Sequence, residues 1–175
     1  MTTASGPLPP TGTYLIDPAR SVVAVTTRHL FGLGGVSATF TLREGTLVIT
    51  DPPSASTATA VIDAGSFTSG NSKRDQDVSS AKYLDAASHP DITFSSASLE
   101  QDGDRWILRG TVTAHGTPAP AELTVTEIAF DGTDLALHGA TSIDRYAHGV
   151  VAGKGMAGRH LAIELHVVAR PSSVA

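Results

Sequence analysis

The stretch RHLAIELHVVA, residues 159–169, decides the fold. Leu161, Ile163, Leu165 and Val167 fall on one side of an extended chain and Ala162, Glu164 and His166 on the other, because side chains alternate along a strand. Such a segment has one dry and one wet face. The segment 134–143 repeats the pattern: Leu135, Leu137 and Ile143 share a face with Gly139 and Thr141, opposite Ala136, His138, Ala140 and Ser142.

Outward from these two, short apolar runs punctuated by Gly, Pro, Asp and Asn lie at about 14–17, 20–29, 36–50, 55–63, 91–101, 104–114 and 117–130, which predicts eight or nine strands. The turns QDGD at 101–104 and DGTD at 131–134 carry the Asp-Gly pair that hairpins favour, so neighbours run antiparallel. Only NSKRDQDVSSAKYLDA, 71–86, has helix-compatible composition, and its Val78, Tyr83 and Leu84 are irregularly spaced, predicting one short helical segment near 72–82. With no other helices to cover open sheet edges, closure follows. The expected fold is all-β: an eight-stranded antiparallel barrel over 14–170, between a flexible leader, 1–13, and a tail, 171–175.

The 175 residues suit one domain, and 12 Lys+Arg against 17 Asp+Glu give no reason to expect a nucleic-acid partner. Absence of cysteine removes disulfides, thiol nucleophiles and cysteine-ligated metals. Large side chains are scarce, and strands such as Ala58-Thr59-Ala60 and Ser95-Ser96-Ala97-Ser98 carry small residues on both faces. In a closed barrel of eight strands, this favours a cavity able to hold one small ligand; the alternative places these residues at the rim of a packed barrel. The leader holds no Lys or Arg and no apolar run of seven, and no window reaches 18 apolar residues, so neither a secretory signal nor a membrane span is expected and the expected location is cytoplasmic.

The seven histidines, His29, His89, His115, His138, His148, His160 and His166, form no HxH or HExxH pattern. A metal site would have to be assembled across strands, and spacing assigns none. GLGG at 32–35 lacks the lysine and helix of a phosphate cradle and reads as a tight turn. Two polar clusters stand out at strand ends: Lys73, Arg74, Asp75 and Asp77 after Phe67, and Asp144, Arg145, Tyr146 and His148 after strand 134–143. Arginine there could grip the polar head of a ligand, or form an internal ion pair, Arg145 with Asp75 or Asp144 with Arg74.

Six pieces occur in order: IDPARS (16–21), RHLFG (28–32) with GVSATF (35–40), SFTSGNSKRDQDVSSAKYLD (66–85), HPDITFSS (89–96), GTVTAHGTP (110–118) and SIDRYAHG (142–149). Together they resemble the YceI-like family. The resemblance implies a lipocalin-like eight-stranded barrel whose apolar pocket binds an extended amphiphile, such as a polyisoprenoid or isoprenoid quinone, with no enzyme activity attached. It also places Arg74, Asp75 and Arg145 at the mouth. The chain departs from the family pattern in Tyr83-Leu84, where an aromatic pair is usual, in His89 before Pro90, and in His148 before Gly149.

The expected function is therefore binding and sequestration, or carriage, of a hydrophobic amphiphile in the barrel. The expected lining is Phe31, Phe40, Phe67, Tyr83, Leu84, Phe94, Trp106 and Tyr146, with Arg74, Asp75, Arg145 and His148 at the polar end. The alternative is a small-molecule enzyme on the same barrel, a cyclase, hydrolase or isomerase, in which His148 or His89 exchanges protons and Arg145 steadies an anion. No cofactor, metal or nucleic acid is expected; the partner is a hydrophobic, isoprenoid-like small molecule, with a homodimer left open.

Overall fold

A computed structural model of the chain describes residues 7–28, 35–153 and 158–172. Ten strands are present among them: β1 (Gly12–Ile16), β2 (Val22–Arg28), β3 (Gly35–Phe40), β4 (Leu42–Ile49), β5 (Thr57–Asp63), β6 (Asp91–Asp102), β7 (Arg105–Ala114), β8 (Thr117–Phe130), β9 (Leu135–Asp144) and β10 (His160–Pro171), with one helix, α1 (Ser72–Ser79). They build eight staves. β1 and β2 lie end to end along one edge of β10, which pairs Ile16 with Ala169 and Val22 with His166. Opposite them, β4 pairs with β1 and β3 with β2, so β3 and β4 share a stave. The remaining strands follow in chain order back to β10, closing an antiparallel barrel.

Both stave breaks have local causes. In IDPARS, Pro18 has no N–H for a ladder, and the Asp17 carboxylate accepts from Ala19 N at 3.0 Å to close a tight turn. Ser21 then replaces a missing ladder bond, its Oγ accepting from Val168 N at 3.0 Å. The expected single strand 36–50 is instead divided at Thr41, whose N–H goes sideways to Ser66 Oγ at 2.7 Å while its carbonyl accepts from Asp63 N at 2.9 Å. Here the segment 64–90 docks onto the barrel.

Register places the connections alternately at two ends. The floor holds the turns after β4, β6 and β8. Leu135 and Ala169 are fully buried there, Tyr14 meets Phe130 edge to face at 6.0 Å, and the Tyr14 hydroxyl donates to Pro10 O at 2.7 Å. Pro9 is buried and Leu8 packs on the core, so this part of the leader seals the floor. At the loop end lie segment 64–90 with α1, the β7–β8 turn and the turn after β9. The β7–β8 hairpin turns on His115 and Gly116, both left-handed at φ 53° and 69°, the backbone a two-residue type I′ turn requires. Asn71 caps α1 by accepting from Arg74 N at 3.1 Å.

Candidate ligand-binding site

Inside the barrel is a cavity of about 320 Å³, the space open to the centres of water-sized molecules. Its origin is the composition noted above. Ala38, Ala58, Ala60, Ala114, Ala121 and Gly139 point small or absent side chains inward where larger ones would fill the barrel. Leu161, Ile163, Leu165 and Val167 of β10 all line it, so the cavity follows six residue steps of that strand, about 20 Å of chain. Most of the described residues that line this space are apolar, with Thr27, Thr141, Arg145 and His148 among the exceptions.

Segment 64–90 supplies the wall at the loop end. Thr68 and Thr39 exchange two backbone hydrogen bonds, 2.9 and 3.0 Å, which pins the segment to the free edge of β3. Beside them Phe67 meets Phe40 edge to face at 5.4 Å, and both rings line the cavity with Val78, Tyr83 and Leu84. Phe94 on β6 adds another ring to the wall.

Of the residues expected to line a pocket, Phe40, Phe67, Tyr83, Leu84, Phe94, Arg145 and His148 meet around this one cavity. Trp106 does not: it sits at the floor, beside a separate gap of about 60 Å³ with Leu8, Pro9 and Ile128. Tyr146 turns away, its ring lying between the guanidinium carbons of Arg145 (5.0 Å) and Arg159 (4.8 Å). Arg74 and Asp75 are on α1 outside the lining, where the Asp75 carboxylate accepts from the amide and hydroxyl of Ser69 at 3.0 and 2.6 Å. Phe31 lies outside the described residues. The wall residues that motif reading passed over, among them Val23, Val25, Ile62 and Val112, carried a usable signal: the alternation that identified β10 recurs in their strands.

Arg145 and His148, expected at the polar end of a pocket, are committed to backbone. Arg145 is 7% exposed, and its guanidinium donates from Nε to Gly158 O and from Nη1 to Val150 O, each at 2.8 Å. These bonds gather the turn after β9 around one cation, which also lies 5.9 Å from the Tyr83 ring centre. His148, 3% exposed, donates Nδ1–H to Thr117 O at 2.8 Å; a carbonyl can only accept, so the proton of the neutral ring sits on Nδ1. Of the two internal ion pairs offered as an alternative, Asp144 pairs not with Arg74 but through two bonds with Arg159, at 3.0 and 2.9 Å, and Asp75 is held by Ser69 rather than by Arg145. Arg159 holds the Asp144 carboxyl below its usual range. His89 lies against His115, ring centres 5.1 Å apart, with Asp85 near both.

The sequence matches the YceI-like domain over residues 14–169. Protein YceI of Salmonella arizonae is 31% identical over 97 residues, 55% of this chain and 50% of the relative. A UPF0312 protein of Pectobacterium atrosepticum is 30% identical over 97 residues, with the same shares. The chain thus spans about half the length of these curated relatives. Among solved structures, Burkholderia cenocepacia BcnA superposes with a TM-score of 0.77 at 22% identity, covering 87% of this chain and 98% of that one. A polyisoprenoid binding domain from Saccharophagus degradans, implicated in plant cell wall breakdown, gives 0.69 at 15% identity, covering 91% and 98%. These two likenesses show a shared fold. With the family match spanning nearly the whole barrel, the chain belongs to the YceI-like family.

Proposed function

We propose that this barrel binds and carries a hydrophobic amphiphile, a polyisoprenoid, an isoprenoid quinone or a similar lipid, with the chain along β10 and its polar head toward the loop end. The observation that carries the reading is the apolar wall running from Leu47 and Ala58 to Tyr83 and Leu84. Each buried CH₂ contributes roughly 0.8 kcal/mol, so about ten of them offset the lower range of immobilisation cost without any hydrogen bond to the head. The S. degradans structure, which shares the fold, is described as a polyisoprenoid binding domain, and that supports the same ligand class here.

In this reading Phe40, Phe67, Tyr83, Leu84 and Phe94 grip the chain. Arg145 and His148 act on the ligand indirectly, by holding the loops that shape the upper wall, since their mapped hydrogen bonds go to backbone carbonyls. An acid–base enzyme needs polar groups aimed at the reacting atoms, whereas the mapped hydrogen bonds of Arg145 and His148 go to backbone carbonyls.

The test is organic extraction of purified protein followed by mass spectrometry, with a titration of a fluorescent prenyl compound beside it. A stoichiometric lipid, or saturable binding of one prenyl chain per protein, is expected. An empty extract together with no prenyl binding overturns the proposal.

A further inference from the structure

On the outer wall of the barrel we infer a binding site for a zinc-like divalent cation, formed by His138, Glu164 and His166. Register creates it: His138 on β9 pairs directly with His166 on β10, and Glu164 lies two residues along the same strand. Glu164 and His166 alternate with the lining residues Ile163, Leu165 and Val167 and are exposed, and His138, half-buried and itself bordering the cavity, falls between the inward positions Leu137 and Gly139, so strand alternation turns all three side chains toward the outer face. Their ligand atoms lie within 4.8 Å of one another, and the two imidazole rings are stacked at 4.4 Å.

Proximity alone describes many surface clusters; the state of His138 sets this one apart. A bulge in β8 between Val125 and Glu127 takes Thr126 out of the ladder and brings its hydroxyl to His138. Thr126 Oγ1 donates its one proton to the His138 carbonyl at 3.2 Å and lies 3.0 Å from Nδ1. With that proton on the carbonyl, the hydroxyl is free to accept from Nδ1–H, the tautomer this site requires. In that tautomer the lone pair is at Nε2, an atom that is buried and has no hydrogen-bond partner. Glu164 Oε2 lies 3.9 Å from it, too far for a hydrogen bond and close enough to share an ion.

A ring nitrogen stripped of solvent, with its tautomer fixed by a hydrogen bond on the other nitrogen, is the arrangement that outer contacts impose on metal-binding histidines. Two imidazoles and one carboxylate form a recognised zinc set that leaves a fourth position open. A tetrahedral ion with bonds of about 2.0–2.1 Å needs donors about 3.4 Å apart. Torsion of the exposed side chains of Glu164 and His166 toward the fixed Nε2 supplies the closure.

Zn²⁺ titrated into untagged protein against a chelating indicator, with Co²⁺ absorption as a second readout, tests the site. One ion per chain is expected here, with Kd raised at least ~10-fold by His166→Ala and by Glu164→Gln, both exposed positions whose change leaves the barrel folded by circular dichroism. Thr126→Val, which touches no ion, is expected to weaken binding about 10- to 100-fold by releasing the His138 ring. His115→Asn, in the separate Asp85, His89 and His115 group, keeps a residue suited to the left-handed turn and is expected to leave this ion in place. Absence of Zn²⁺ and Co²⁺ binding overturns the inference. So does loss that follows His115→Asn rather than His166→Ala, or an affinity indifferent to Thr126→Val.

Discussion

Phe67 lies edge to face on Phe40 with ring centres 5.4 Å apart, and through this contact the segment crossing the loop end becomes part of the cavity wall. A half-buried ring of this kind contributes less than the ~3–5 kcal/mol of a fully buried one, so Phe67→Ala is expected to destabilise the protein by about 2 kcal/mol. Affinity for a prenyl chain should fall with it. Denaturant unfolding and ligand titration of the same variant check the two effects. Retention of full affinity would remove segment 64–90 from the binding wall.

A second prediction concerns Arg145, whose guanidinium donates to the carbonyls of Val150 and Gly158. Arg145→Met keeps bulk and strands buried acceptors, each worth about 1–3 kcal/mol when left unpaired. The variant should lose stability clearly, and Arg145→Lys, which can still serve one carbonyl, should recover part of it. Binding of an uncharged prenyl alcohol should survive in whichever variant stays folded. If Arg145→Met instead leaves stability unchanged and abolishes binding of charged ligands alone, the residue is a head-group clamp.

Gly110 opposes the bulge in β6, where a Cβ would come 2.3 Å from Ser95 O and 2.9 Å from the Phe94 ring. The clash is with backbone, which has no rotamer to change. Gly110→Ala is expected to cost more than ~2 kcal/mol, well above an ordinary surface substitution. Thermal unfolding beside Gly132→Ala, at a turn where nothing lies within 4 Å, separates close approach from the left-handed backbone requirement.

Acid stability should depend on Asp144. Its carboxyl is held below the usual range, first by the hydrogen bond from Arg159. A depressed folded-state value stabilises the protein above the unfolded carboxylate value, about 3.9, and the contribution fades as pH falls through the lower native value. Asp144→Asn should therefore be less stable than the parent at neutral pH, with the gap narrowing on acidification. A gap of constant size across that range would assign the loss to packing rather than ionisation.

Much of the barrel was legible in the sequence because strand alternation is a local property: Leu161 to Val167 and Leu137 to Ile143 read correctly as inward faces. Asp-Gly turns likewise announced antiparallel neighbours. What local reading could not supply was which segments share a stave. The join of β1 to β2 depends on Ser21 reaching Val168, and the break at Thr41 on Ser66, contacts between residues 147 and 25 positions apart. The lining of the cavity, the candidate site, was legible in part for the same reason. Phe40, Phe67, Tyr83, Leu84 and Phe94 converge, whereas Trp106 sits at the opposite end of the barrel, which composition has no means of stating. Arg145 was singled out for its charge, but the carbonyls it serves belong to its own turn.

The central claim is that the space left by small inward residues is the ligand site, and Ala60→Phe tests it most directly. Ala60 lines the cavity opposite Phe94 in the register, so the added ring occupies the proposed path of the chain. Titration of a fluorescent prenyl ligand into parent and variant should show one saturable site in the parent and at least ~10-fold weaker binding in the variant, whose stability should stay within about 1.5 kcal/mol because the new side chain fills existing space. Equal affinity in the two proteins would contradict the account.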